Sequence, residues 1–145
     1  MLKGVIAVLL CFSFLGKNIT LLGLGGLAAM VGHNYPIWLR FKGGRGLSTA
    51  AGIMYVLGWM FIVIWCSFWA TIYLTAKNIH LSNVVASVVS PLAIVFIPEV
   101  FLKPTLPSYS GKMEFFYISL VICLLILLRH TQFIKESFKS LSKRS

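Results

Sequence analysis

Five apolar stretches, at about residues 4–15, 19–31, 47–73, 84–97 and 115–128, alternate with short polar islands along the 145-residue chain. A helix needs about 20 residues to cross a ~30 Å hydrocarbon core, so several stretches are short for a crossing. Two regions admit two readings. The first two stretches form either one long helix or a hairpin turning at Gly16-Lys17-Asn18. Residues 47–73 form either one tilted helix or two short ones breaking near Leu57-Gly58-Trp59.

Lysine and arginine placement favours the hairpins. With both regions folded back there are six spans, and Lys3, Arg40, Lys42, Arg45, Lys77, Arg129, Lys135, Lys139, Lys143 and Arg144 fall on one side. Only Lys17, Lys103 and Lys112 fall on the other. That bias is what the positive-inside rule expects of a membrane protein with both termini cytoplasmic. The merged four-span reading flattens the split to seven against five and leaves Lys17 inside the membrane, at a cost of roughly 2.5 to 3.5 kcal/mol. The expected architecture is therefore all-α and polytopic, one membrane domain with spans near 4–16, 19–34, 47–57, 59–76, 84–98 and 114–128. Residues 35–46 and 77–83 are the cytoplasmic loops and 129–145 a cytoplasmic tail. Gly23, Gly25, Gly26, Ala28 and Ala29 suit close helix packing, since lipid supplies no hydrophobic drive between helices.

Composition fixes the class: 59% hydrophobic, 11% charged and a mean hydropathy of +0.92 lie far outside a soluble domain of this size. The net charge of +10 sits at the ends of apolar runs and not on a soluble face, so lipid headgroups and phosphorylated substrates are expected partners and nucleic acid is not. There is no Asp, and the only acids are Glu99, Glu114 and Glu136, which leaves little for carboxylate-pair chemistry. Cys11, Cys66 and Cys123 lie in different apolar runs without metal-ligand spacing and are expected to be small buried hydrophobes. Lys3 before a short apolar run has the shape of a signal peptide, but a chain with further spans needs no cleavable one. In the tail, Ile134, Phe138 and Leu141 share one stripe and Lys135, Lys139 and Lys143 another, the pattern of a basic helix lying in an anionic leaflet.

Between residues 32 and 52 a basic, glycine-punctuated island separates two apolar stretches. Three of the 13 basic residues fall within positions 40–45, and four of the 12 glycines within 43–52. Gly43-Gly44-Arg45-Gly46 precedes a helix starting near Leu47, so Ser48 and Thr49 occupy its first turn. Free N–H groups, the positive helix end and bare glycine backbone attract a phosphate there, and Arg45 can add a bidentate grip. The pattern is not the strand-linked Gly-x4-Gly-Lys-Ser/Thr loop. His33, His80 and His130 are spaced neither as metal ligands nor as a nucleophilic triad.

The run Gly32-His33-x-x-Pro36, an aromatic, Gly43-Gly44-Arg45-Gly46 and then Thr49 resembles the second signature of the bacterial acyl-phosphate:glycerol-3-phosphate acyltransferases, the PlsY type. Lys3-Gly4 resembles the end of the Asp-x-x-Lys-Gly lead-in to that family's second helix, residues 75–87 its third, serine-rich signature, and Arg129-His130 the start of its C-terminal motif. The resemblance implies a polytopic enzyme of phospholipid biosynthesis that moves a fatty acyl group from acyl phosphate to glycerol 3-phosphate, giving lysophosphatidic acid, without metal or cofactor. It implies phosphate or substrate binding by Gly43, Gly44, Arg45, Gly46, Thr49, Ser82, Asn83, Arg129 and His130, with His33 and Ser82 as catalytic candidates. Acyl phosphate is already activated, so positioning and electrostatics can lower the barrier without a protein carboxylate.

The departures are Arg45 for lysine, His80 for serine, Phe133 for asparagine and no glutamate at its usual place. The family's first helix and first signature precede the start of this chain, so a separate N-terminal segment or a full-length homologue is a possible partner. Two other classes remain open: a non-catalytic relative that binds a phosphorylated lipid precursor, and a small transporter. Against the transporter, the spans hold no buried charge except at their ends.

Overall fold

Asn18 decides the first ambiguity. Its side chain accepts hydrogen bonds from the N–H groups of Thr20 (2.9 Å) and Leu21 (3.3 Å) and so starts a new helix. The computed structural model describes the backbone at residues 1–16, 18–40, 43–44, 46–102 and 111–142, and side chains at those positions other than 39 and 131–142. Helix α1 (Leu2–Leu15) and helix α2 (Ile19–Asn34) form an antiparallel hairpin, in which Gly25 meets Cys11 and Gly26 meets Val8. The α1 backbone also lies directly on α3 (Leu47–Ala76), where a Cβ on Gly4 would strike the carbonyl of Thr49.

The second ambiguity is decided at Gly58, whose φ of −179° and ψ of 87° interrupt α3. A straight helix of 30 residues would hold its ends ~45 Å apart. Instead, the backbone just before α3 and the helix just after it reach neighbouring side chains: Gly44 bonds Arg129 while His80 contacts His130. The halves on either side of Gly58 therefore fold back on one another. Ala50 and Met54 of the first half face Phe61 and Trp65 of the second across a shared cavity. At the turn, Phe115 packs against Gly58 and meets Phe61 edge to face at 6.4 Å.

Asn78 opens helix α4 (Ile79–Phe96) by accepting from the N–H groups of His80 (3.0 Å) and Leu81 (3.2 Å). Two indole N–H groups then tie α4 to α3, Trp65 to Ser87 (3.2 Å) and Trp69 to Asn83 (2.7 Å). Helix α5 (Lys112–Ser142) runs antiparallel to α4, with Lys112 Nζ donating to the Val95 carbonyl at one end (2.6 Å) and His130 beside His80 at the other. Short 3₁₀ turns at Ile37–Leu39 and Glu99–Leu102 complete the described elements. The tail's helical backbone continues α5 without interruption, so the last span and the basic tail are one element. What the tail's side chains face lies outside the described residues.

Burial is distributed as a bilayer requires. Val8, Leu22, Met30, Ile53, Phe115 and Ile122 fill the core, yet Ser82, Ser87, Ser90 and Ser119 are also buried while Phe14, Leu74 and Phe96 stand exposed. Water would penalise that exposed apolar surface and lipid does not. Helices α3, α4 and residues 112–130 of α5 are long and apolar enough to cross a membrane, and α1 and α2 are shorter apolar helices. The chain is a multi-pass membrane protein. Of the cysteines, Cys123 is buried but Cys11 is half-buried and Cys66 exposed, which corrects the expectation that all three are buried; Cys11 packs at the α1–α2 contact and Cys66 lines the cavity between the halves of α3.

Candidate functional site

One end of the bundle collects the polar clusters that the sequence separates. The α2 terminus, the start of α3, the α3–α4 turn and Arg129-His130 of α5 all lie there, tied by contacts from Gly44 to Arg129 and from His80 to His130. Glu99 and Glu114 belong to the opposite end, next to the Val95–Lys112 contact.

Arg129 is the centre of this arrangement. Its guanidinium is buried, donates to the carbonyls of Gly43 (3.0 Å) and Gly44 (3.3 Å), and lies 5.4 Å from the centroid of the Tyr35 ring. A buried guanidinium is costly unless it is paired or hydrogen-bonded, and the loop carbonyls and the aromatic face help to meet that need. The loop in turn rests on the end of α2. Gly44 lies against the His33 ring, and Gly43 lies between the His33 and Asn34 carbonyls and Pro36. No side chain larger than glycine fits these two positions without moving backbone or ring.

Gly46 carries the chain into α3 with φ at +77°, in the left-handed region that glycine adopts without strain. Among the described residues no side chain caps the helix it begins. Ser48 is exposed in the first turn and Thr49 buried. Helix α3 thus presents a positive, uncapped end beside the glycine loop, the arrangement that binds anions. Arg45 and Lys42 lie outside the described residues.

The remaining candidates serve the far wall. His80 Nδ1 and His130 Nε2 are 3.1 Å apart, so one ring donates to the other, with His130 buried and His80 exposed. Ser82 is buried and donates to the Asn78 carbonyl (2.8 Å), while Asn83 accepts from Trp69. The described polar contacts of Ser82 and Asn83 thus go into helix packing, whereas Gly43, Gly44, Gly46, His33 and Arg129 converge at the loop. Sequence reasoning missed Tyr35 and Asn34. Both sit where α2 ends, inside the island, and an aromatic there would have been the signal for a guanidinium partner. Among the described residues no cluster of His, Cys, Asp and Glu could hold a metal ion.

Behind the loop, a cavity of about 140 Å³ opens between the two halves of α3 and α5. Leu47, Ala50, Met54, Trp65 and Ile126 are among its almost wholly apolar lining. Its near edge, at Leu47, adjoins the helix end that faces the glycines.

Comparison with known proteins points to one family. The family model described as glycerol-3-phosphate acyltransferase matches residues 1–140. A glycerol-3-phosphate acyltransferase of Bradyrhizobium diazoefficiens is 37% identical over 91 residues, 63% of this chain and 45% of that protein. One from Prochlorococcus marinus is 29% identical over 130 residues, 88% of this chain and 59% of its own length. The chain thus spans about half the length of the curated relatives it matches. The crystal structure of PlsY (YgiH), an integral membrane glycerol 3-phosphate acyltransferase in its glycerol 3-phosphate form, superposes with a TM-score of 0.69 at 27% identity, covering 96% of this chain and 64% of that one.

Proposed function

This chain belongs to the glycerol-3-phosphate acyltransferase family, and from that premise we propose that it takes part in transferring a fatty acyl group from acyl phosphate to the 1-hydroxyl of glycerol 3-phosphate. The hydroxyl oxygen attacks the acyl carbon, the bond from that carbon to the phosphate oxygen breaks, and inorganic phosphate leaves with lysophosphatidic acid as the other product. A phosphate oxygen of the substrate takes the hydroxyl proton, so the step needs no protein carboxylate. The observation that carries the reading is the Arg129 clamp on Gly43 and Gly44. By occupying the loop carbonyls it leaves glycine N–H groups and the α3 end to hold phosphate oxygens. Donors fixed in this way need no rearrangement to hold a substrate phosphate while the acyl group is transferred. Arg45, Thr49 and His130 would complete the polar wall, with His33 behind Gly44, and the apolar cavity beside Leu47 would take part of the acyl chain.

Mixing the purified chain with acyl phosphate and glycerol 3-phosphate should release inorganic phosphate. No release, from the chain alone or joined to the family's first helix and first signature, would overturn the proposal. Binding of acyl phosphate without turnover would instead mark a relative that keeps the anion loop as a binding element.

The lysine and arginine bias supports a cytoplasmic position for the loop, the α3–α4 turn and both ends of this chain. A cysteine replacing Lys77, in a variant without the three native cysteines, should react with a membrane-impermeant maleimide in inverted vesicles and not in intact cells. The reverse pattern would invert the topology.

A further inference from the structure

Asn34 ends α2 with no exposed surface, and among the described residues neither its Oδ1 nor its Nδ2 has a hydrogen-bond partner. Buried amides are nearly always paired, so one unsatisfied at both atoms calls for an explanation. Its position suggests one. A Cβ placed on Gly46 would fall 2.7 Å from Oδ1 and 2.8 Å from Nδ2. The amide thus lies directly under the residue that opens α3, beside the uncapped helix end assigned to phosphate.

We propose that Asn34 contacts the acceptor substrate, a polyol phosphate, with Nδ2 donating to a phosphate oxygen and Oδ1 accepting from a neighbouring hydroxyl. This rests on the phosphate-binding reading of the glycine loop and adds a choice between the two substrates. An amide offers one donor group and one acceptor on adjacent atoms. A glycerol phosphate presents the matching pair, phosphate and free hydroxyl, whereas an acyl phosphate has no hydroxyl to give. Glycine at position 46 leaves room for the amide where any Cβ would collide with it.

The rival explanation is structural: the amide rotates and caps the first turn of α3. Asn34→Asp separates the two, because aspartate is an equally good cap but turns the donor into a negative charge facing phosphate. Equilibrium binding of glycerol 3-phosphate, inorganic phosphate and a short-chain acyl phosphate should be measured for the wild-type chain, Asn34→Asp and Asn34→Ala, together with thermal midpoints. Losing a hydrogen bond to a charged group predicts at least about tenfold weaker glycerol 3-phosphate binding in both variants. Acyl phosphate binding should change by less than about threefold in Asn34→Ala, and the midpoint of Asn34→Asp should stay near that of the wild type. Glycerol 3-phosphate binding at wild-type strength in either folded variant overturns the assignment, as does equal weakening for both substrates in Asn34→Ala. A wild-type chain that binds none of the three phosphates overturns the loop reading, and this assignment with it.

Discussion

Arg129→Ala should slow phosphate release at least about a hundredfold, the largest loss expected from any single substitution at the site. Two charge-assisted hydrogen bonds, to Gly43 and Gly44, disappear together, each worth ~1.5 to 3 kcal/mol, where every 1.4 kcal/mol is about a factor of ten. The glycine carbonyls lose their donor, the stack on Tyr35 is lost, and the loop is no longer held to α5. Arg129→Lys keeps the charge but cannot reach both carbonyls as a planar fork does, so it should recover only part of the rate. Steady-state kinetics on both variants checks this. A near-normal rate in Arg129→Ala would mean that the clamp plays no part in holding the site.

Gly46→Ala should strongly destabilise the fold around the loop. The residue sits at φ +77°, where a Cβ costs ~1 to 2 kcal/mol, and that Cβ would also press on Asn34 and on Met30, at ~1 to 3 kcal/mol for an overpacked site. The sum, about 2 to 5 kcal/mol, is a large share of the ~5 to 15 kcal/mol that holds a typical soluble domain together. A thermal melt in detergent, followed by near-ultraviolet circular dichroism, should show a clearly lowered midpoint and weaker phosphate protection. Gly32→Ala is the control, since nothing lies within 4 Å of its Cβ position, and it should melt close to the wild type. Equal midpoints for the two variants would remove the steric account of position 46.

Both helix breaks were legible because each has a local chemical cause. Asn18 is a strong helix starter and sits where an unbroken helix would strand Lys17 in lipid. Gly58 lies midway in an apolar run too long for one perpendicular crossing, flanked by the bulky Leu57 and Trp59. The glycine loop was legible for the same kind of reason, since bare backbone, cations and a helix start fall within a few positions. What joins the loop to the rest was not. Arg129 reaches carbonyls 85 and 86 residues earlier, and no periodicity within α5 announces that contact. Arg129 alone reads as a charge at a helix end, and its role as a clamp depends on the path of α2 and on Tyr35.

The ladder between α3 and α4 was partly legible, with a signal that single-helix reading does not use. Trp65 and Trp69 are spaced four apart, as are their acceptors Asn83 and Ser87. An indole N–H in lipid needs a partner, so equal spacing on successive helices predicts an antiparallel pair. Asn34 was illegible because its meaning lies in a missing partner, and only packing shows which buried groups go unpaired.

The most direct test of the central claim is product stoichiometry. The chain, joined to the family's first helix and first signature, should be given acyl phosphate and isotope-labelled glycerol 3-phosphate, and lysophosphatidic acid counted by mass spectrometry against inorganic phosphate released. One lysophosphatidic acid per phosphate, with both products falling together in Arg129→Ala, is the predicted result. Phosphate release without labelled lysophosphatidic acid, or no turnover at all, would contradict it.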